Sequence, residues 1–181
     1  MTDLVLDDAN LSRSTARLAA KGDEAACARL VDDHYAPMVR AAFVITGDPE
    51  TAREAVQGAW TIAWRQLGRL RDPERIRPWL VAIAANEARR LVRRQRRRSV
   101  IELSVRVDER SVGDPAAAID LVDLGRVLRS LAPDERALLA MRYVAGLDAT
   151  EIGRHSGMSA SGVRSRLARL LDRLRRELDD A

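Results

Sequence analysis

The chain has 181 residues, of which 46% are hydrophobic, 32% are charged and only 3% are aromatic. This composition, rich in alanine, leucine and arginine, favours helices over sheets and suffices for one or two hydrophobic cores of ordinary size. Cys27 is the single cysteine, which excludes an intrachain disulfide and a cysteine-based metal cluster. The formal net charge of +4 is modest. Local clusters of arginine are therefore a better indication of binding partners than the net charge.

The first residues, MTDLVLDDANLS, are acidic and lack the basic start and apolar run of a signal peptide. No apolar stretch approaches the length of a membrane span. We therefore expect a cytoplasmic protein without membrane insertion, whose first residues, to about residue 12, form a mobile tail.

Apolar residues recur at helical spacing in three stretches of the first half. The first stretch runs from about residue 23 to 45, and Pro37 within it predicts a kink or break. The second opens at Asp48 and Pro49, an N-cap followed by proline at the first helical position. The third runs from about 78 to 98. These stretches predict a bundle of three helices.

The end of the third stretch, RRLVRRQRRR, holds seven arginines in ten residues. The negative end of a helix dipole favours some positive charge, but so many neighbouring cations repel one another unless an anion is near. A solvated helix end is the alternative interpretation. The density of charge favours a phosphate backbone as the partner.

The stretch from 147 to 174 predicts two helices joined by a tight turn. Asp148 and Glu151 have the spacing of a capping box, Gly157 can take the positive φ that ends a helix, and Ser159 can cap the next one. On the second helix Arg164, Arg166 and Arg169 fall off the apolar stripe and are expected to point outward. A helix of this kind fits a DNA major groove, whereas two antiparallel helices with a basic solvated face are the alternative.

Between the two helical regions, residues 99–116 show mixed polarity, little periodicity and a Gly-Asp-Pro turn. We expect an all-α protein of two small helical domains: a tail and helix start at 1–22, a first domain at 23–98, a flexible linker at 99–116 and a second domain at 117–181. No motif with a catalytic mechanism, metal-ligand spacing or cofactor loop is present, so we expect no enzyme, no catalytic residue, no metal and no cofactor.

Two sets of residues, in this order on either side of a linker, resemble bacterial RNA polymerase sigma factors of the extracytoplasmic-function (ECF) type. In the first domain the resemblance is carried by AREAVQGAWTIAW and by RPWLVAIAANEARRLVRRQRRR. In the second it is carried by LRSLAPDERALLAMRYVAGLDATEIGRHSGMSASGVRSRLARL. It covers about residues 23–178 and implies sigma domain two, a helical bundle, followed by sigma domain four, a helix-turn-helix.

The resemblance implies a binding protein that brings core RNA polymerase to promoters and assists their melting. Its partners would be the β′ clamp helices and β flap of the polymerase, promoter DNA and an anti-sigma factor. It places Glu54 and Gln57 on the polymerase. The implied DNA contacts are, at the minus-ten element, Asn86, Arg89, Arg90, Arg93 and Arg97, and, at the minus-thirty-five element, Arg164, Ser165, Ala168 and Arg169.

The sequence departs from the family pattern at several positions. Gly58 replaces the usual acid after Gln57, and Arg53 stands where an acid is common. Ser161-Gly162 replaces Gly-Thr at the start of the recognition helix.

Two other classes remain open from the residues alone. One is a helix-turn-helix regulator that binds duplex DNA without polymerase, and the other is a helical adaptor that binds only proteins. Gln57 on an exposed helix face would distinguish a sigma factor from the regulator. The run from Arg89 to Arg98 argues against the adaptor.

Overall fold

A computed structural model describes residues 14–70, 72–102, 128 and 130–179, with side chains given except at 98–102 and 179. Throughout these ranges every regular element is helical. The expectations for the first residues, for most of the linker and for the start of the second domain at residue 117 fall largely outside the described residues.

Three long helices build the first domain: α1 (Glu24–Thr46), α2 (Pro49–Gln66) and α3 (Ile76–Glu102). They pack against one another in all three pairs. A helical segment at 14–19 adds Ala16 and Ala19 to the same core. Two short 3-10 turns, Leu67–Arg69 and Pro73–Arg75, connect α2 to α3.

Local sequence signals define the ends of these helices. Asp23 and Asp48 cap α1 and α2 through their carboxylates, and Gly47 ends α1 with a φ of 69°. Of the kink or break expected at Pro37, the break is wrong, because α1 runs uninterrupted to Thr46. Proline in a helix removes one backbone hydrogen bond, and here the burial of Pro37 with Met38 and the rest of the apolar stripe offsets that loss.

The third helix is longer than the sequence indicated. It starts at Ile76 rather than 78, and it continues through Glu102, four residues into the predicted linker. The arginine-rich run is therefore regular helix, and the side chains from Arg89 to Arg97 project from it at the angles that helix geometry sets.

The second domain, as far as it is described, consists of α4 (Pro133–Leu139), α5 (Ala149–Ser156) and α6 (Ala160–Asp179). A π-helical segment, Ala140–Val144, extends α4. Leu131, Leu139, Leu170 and Leu174 form a small core of their own where α4 meets α6.

The second domain packs directly on the first. Met141 and Ile152 are fully buried in the same hydrophobic cluster as Leu80 and Val81 of α3. Arg136 is also buried there, 6% exposed, and burial followed by the charge of Arg96 lowers its pKa. Its Nη1 would lie 3.7 Å from a Cβ atom at Gly47, so the guanidinium sits at the C-terminal end of α1, where the helix dipole favours a cation.

Candidate nucleic-acid interface

One side of α3 forms a groove lined mainly by arginines. Steps of three and four residues along a helix bring side chains to the same side. The groove contains all five residues expected at the minus-ten element, together with Glu87 and Arg94. We call its five arginines the arginine face: Arg89, Arg90, Arg93, Arg94 and Arg97.

Acidic neighbours hold several of these guanidinium groups in place. Arg90 donates from Nε to both carboxylate oxygens of Glu87, at 3.0 and 3.2 Å, and from Nη2 at 2.6 Å. The hydrogen bonds and the charge of Glu87 raise the pKa of Arg90. Arg94 lies 3.4 Å from Glu54 of α2. These contacts orient the groups, so less side-chain entropy is lost when an anion binds.

Asn86 has an unpaired oxygen at the edge of the same groove. Its Oδ1 is buried and has no hydrogen-bond partner among the described residues. A buried carbonyl without a donor costs free energy, and a side-chain amide offers both a donor and an acceptor to a base edge. Asn86 is therefore suited to a ligand that brings a donor into the groove.

The helix-turn-helix forms as its sequence indicates. The Asp148 carboxylate accepts from the backbone N–H groups of Thr150 and Glu151, both at 2.8 Å. The Glu151 carboxylate in turn accepts from the Asp148 N–H at 2.9 Å. These backbone hydrogen bonds are the main cause of the lowered pKa of Asp148. Gly157 ends α5 with a φ of 73°. Ser159 accepts from the Gly162 N–H at 3.1 Å, so it caps α6.

All four residues expected at the minus-thirty-five element are exposed on α6. We call them the recognition face: Arg164, Ser165, Ala168 and Arg169. Arg169 donates from Nε to the Ser165 carbonyl at 3.3 Å. The outward orientation expected for Arg166 is only partly right, because this side chain is half-buried and lines a groove beside Glu135 and Arg173.

A third surface, on α2, carries the residues expected to contact polymerase. Glu54 and Gln57 are exposed and line one groove with Tyr35 and Trp60. Trp60 stacks on Trp64, with ring centroids 4.9 Å apart. We call Glu54, Gln57 and these three aromatic residues the α2 face.

Sequence reasoning missed the aromatic part of this surface. Tyr35 fits the apolar stripe of α1, yet its side chain is 42% exposed. Trp64 is 38% exposed. Periodicity alone does not separate a core position from the edge of a stripe, so only their exposure after packing identifies them.

Trp79, by contrast, is half-buried and packs against the core near the start of α3. No helix among the described residues is long and apolar enough to cross a membrane. Nor do the described side chains include three or more histidine, cysteine or acidic groups placed to hold a metal ion.

Two helical domains, one with an arginine face on a long helix and one with a helix-turn-helix, define a class of DNA-binding transcription protein. Comparison with known proteins makes this specific. Residues 30–98 match the family model for Sigma-70 region 2, and residues 121–174 match the model for Sigma-70, region 4.

Relatives match over most of the chain. The RNA polymerase sigma factor NccH of Alcaligenes xylosoxydans xylosoxydans is 30% identical over 176 residues, 91% of this chain and 92% of that protein. The ECF RNA polymerase sigma factor SigL of Mycobacterium tuberculosis is 28% identical over 90% of this chain and 94% of its own. In the probable sigma factor RfaY of Xanthomonas campestris, 29% identical, the match spans only 42% of that protein.

Among solved structures, CnrH in complex with the cytosolic domain of CnrY has a TM-score of 0.65 and 25% identity. The match covers 93% of this chain and 97% of that one. The chain belongs to the bacterial RNA polymerase sigma factors, of the ECF type, and directs promoter-specific initiation of transcription by the polymerase.

Proposed function

We propose that the three surfaces divide the work of promoter recognition. The α2 face docks on the β′ clamp helices of core RNA polymerase, the arginine face binds the minus-ten element, and the recognition face reads the minus-thirty-five element. The observation that carries this proposal is the arginine-lined groove on α3, because it places five guanidinium groups and the unpaired Asn86 oxygen on one rigid helix.

At the minus-ten element, phosphate contacts position the protein and base contacts specify the site. The arginine face supplies the phosphate contacts. Asn86 takes the base edge of a nucleotide turned out of the stack, where its amide replaces the hydrogen bonds lost on unpairing. This assignment gives the buried Oδ1 of Asn86 a donor that none of the described residues provides.

At the minus-thirty-five element, α6 enters the major groove of duplex DNA. Arg164 and Arg169 offer bidentate donors to guanine or charge to phosphate. The Ser165 hydroxyl can hydrogen-bond to a donor or to an acceptor on a base edge. Ala168 gives an apolar contact of the kind that a thymine methyl group accepts. Their exposure on adjacent turns of one helix supports this arrangement.

On the polymerase side, the α2 face combines exposed aromatic area with Glu54 and Gln57. Aromatic side chains are enriched where protein interfaces carry most of their binding energy. Contacts in two domains also act together, because binding at one raises the effective concentration of the other. The β flap is the partner that we assign to the second domain.

Two further assignments concern the cell. We assign the protein to the cytoplasm, where the polymerase acts, and we assign it no catalytic activity of its own.

The similar protein CnrH is bound by the cytosolic domain of CnrY, which supports an anti-sigma partner here. A pull-down from unstressed native cells should recover such a partner, and its repeated absence would argue against this assignment.

The first test is a binding titration with purified core RNA polymerase. Gln57→Ala should weaken binding about five- to tenfold, as expected for a residue central to an interface. Gln66→Ala is the matched control, since Gln66 is exposed on the opposite side of α2. Binding to duplex DNA without any binding to core polymerase would instead favour a helix-turn-helix regulator.

A further inference from the structure

One arginine of the arginine face is held along a whole edge by a buried carboxylate. Arg90 donates from Nε and Nη2 to Glu87, three residues earlier on α3, at distances from 2.6 to 3.2 Å. Glu87 is 9% exposed, whereas the Arg90 side chain is 62% exposed. The carboxylate is therefore fixed inside the protein, and the guanidinium group that it holds faces solvent.

A glycine on the neighbouring helix makes room for this carboxylate. A Cβ atom at Gly58 of α2 would lie 3.4 Å from Oε2 of Glu87 and 4.0 Å from its Cγ. A side chain larger than a methyl group at this position would crowd the carboxylate. Gly58, Glu87 and Arg90 line one groove between α2 and α3, so the pair is part of the contact between the two helices.

The pair leaves one edge of the guanidinium group available to a ligand. A guanidinium carries five N–H donors in a planar fork. Glu87 accepts along the edge formed by Nε and Nη2, and Nη1 of Arg90 has no hydrogen-bond partner among the described residues. Nη1 and the second N–H of Nη2 remain as two parallel donors. Such a fork matches two neighbouring acceptors, as in a phosphate or on the O6 and N7 atoms of guanine.

The charge of the pair favours the base over the phosphate. Glu87 cancels the charge of Arg90, so the pair attracts a phosphate more weakly than an unpaired arginine does. Donors of fixed direction still serve an uncharged base edge. Arg94 differs, because Glu54 lies 3.4 Å away with a side chain that is 55% exposed, and such exposed pairs are weak. Asn86, one turn before Arg90, lines the same groove with its unpaired Oδ1.

We propose that Arg90 reads a guanine of the minus-ten element through its O6 and N7 atoms, and that Glu87 is the positioning residue for this contact. The proposal rests on the proposed function of the arginine face and deepens it. Arg90 supplies sequence preference, and the other four arginines supply phosphate contacts. The guanine edge involved is open in the major groove of duplex DNA.

The test uses holoenzyme assembled from the full chain and purified core RNA polymerase, with a duplex DNA library of randomised sequence. Sequencing the bound DNA gives the base preference at each position. The parent chain should select guanine at one minus-ten position by about tenfold, within the range for a bidentate contact. Arg90→Lys keeps the charge but loses the planar fork. It should lower this preference to about twofold and leave the other positions unchanged.

A modified base tests the same contact at a single atom. Replacing the selected guanine by 7-deazaguanine removes the N7 acceptor and keeps Watson–Crick pairing. The change should weaken binding of the parent holoenzyme about fivefold, and that of the Arg90→Lys holoenzyme less than about twofold. Equal losses in the two holoenzymes would overturn the proposal.

Glu87→Gln separates positioning from a structural role. The guanine preference should fall about threefold or more, because the fork loses its fixed direction. Binding to the remaining sequences should strengthen, and its salt slope should steepen by about 0.9, because the released charge of Arg90 reaches a phosphate. A structural defect would instead weaken all binding. Asp172→Asn and Arg175→Lys are matched controls, since this exposed pair on α6 has the same spacing; neither should change the preference.

Other outcomes would also overturn the proposal. A uniform loss across all sequences in Arg90→Lys would make Arg90 another phosphate contact, and weaker binding to core polymerase without DNA would place the pair in the polymerase interface. A guanine preference unchanged in Glu87→Gln would remove the positioning role. If Glu87→Gln does not keep its helices by circular dichroism, the exposed Arg90→Lys still decides the contact.

The proposed function is tested separately by changing two other members of the arginine face. Arg89→Ala with Arg93→Ala should weaken holoenzyme binding to every selected sequence, whatever base Arg90 contacts. Unchanged binding in this double variant would contradict the proposed function of the arginine face. Weakened binding without any guanine preference in the parent chain would overturn only the proposal for Arg90 and Glu87.

Discussion

A Cβ atom added at Gly58 would lie 3.4 Å from Oε2 of Glu87. Gly58 is on α2 where that helix faces α3, and Glu87 is 9% exposed and bonded to Arg90. The resemblance to sigma factors predicts an acid at the position of Gly58. In this chain the carboxylate beside that position belongs to Glu87, on the neighbouring helix α3.

Gly58→Ala should stabilise the protein. The distance of 3.4 Å is ordinary van der Waals contact, and alanine in a helix interior is favoured over glycine by roughly 0.5–1 kcal/mol. Urea unfolding followed by circular dichroism measures the change. A loss of stability would mean that Glu87 cannot accept even a methyl group beside it.

Gly153→Ala should have the opposite effect, although it is also a glycine-to-alanine change in a helix. The added Cβ would lie 2.5 Å from the Met158 carbonyl oxygen, in the turn of the helix-turn-helix. Backbone must move to relieve this contact, at a cost of about 1–3 kcal/mol, as for other overpacked sites. The same urea experiment compares the two variants, and equal stabilities would contradict the packing of this turn.

Arg164→Ala should reduce the salt dependence of binding to duplex DNA. Each phosphate contact contributes about 0.9 to the slope of log K against log salt, so the slope should fall by about this amount if Arg164 contacts a phosphate. Titrations at several salt concentrations measure it. Arg175→Ala, exposed on the same helix but paired with Asp172, should leave the slope unchanged.

Glu135→Gln should destabilise the second domain by about 1.5–3 kcal/mol near neutral pH, the range for hydrogen bonds to charged groups. Glu135 accepts from Arg173 Nη2 at 2.8 Å and from the Ala132 N–H at 2.9 Å. Burial, the largest single effect, would raise the pKa of this carboxyl, but the two hydrogen bonds together with the charges of Arg173 and Arg166 outweigh it and lower the pKa.

The direction of the pKa shift determines how the stabilisation by Glu135 depends on pH. Because the pKa of Glu135 is lower in the folded state, its contribution is complete above the unfolded value of 4.5 and is lost as the pH falls through the folded pKa. Thermal melts of parent and Glu135→Gln should therefore converge in acid. A constant difference between pH 7 and pH 3 would contradict the role of the ionised carboxylate.

His34→Gln should make the protein less sensitive to mild acid. Burial lowers the pKa of His34, against the opposing charge of Asp33, and Arg77 lowers it further. Above its ordinary pKa of 6.5, His34 is neutral in both the folded and the unfolded state. Below this pH the imidazole binds a proton more readily in the unfolded chain, so the stability of the folded state falls. Melts between pH 7.5 and 5.5 should show a smaller decrease for His34→Gln than for the parent chain.

His155 is a second histidine for which the same behaviour is expected. Burial is also the main cause of its lowered pKa, with Glu151 raising it and Arg154 lowering it. His155→Gln should reduce the acid sensitivity in the same direction while leaving the contribution of His34 in place. A parent chain whose melting temperature does not change over this pH range would contradict both assignments.

The sequence by itself determined the elements whose causes are local. Asp48 and Asp148 cap helices through backbone groups two or three residues away, and Gly157 ends one because glycine takes positive φ without steric cost. The apolar stripe of α2 identified its buried residues for the same reason, since a helix fixes which positions share a side. The residues of the recognition face, and those of the arginine face apart from Arg94, are the ones that the resemblance to sigma factors implies, and their contacts with DNA stay predictions.

Only the tertiary structure decided which residues meet across the chain. That α1 passes Pro37 without a break depends on its packing, and the exposure of Tyr35 depends on where the bundle ends. The pairing of Asp134 with Arg93 joins residues 41 positions apart. Such contacts depend on how whole helices are placed, and helix periodicity says nothing about which partner a charged side chain meets in another domain.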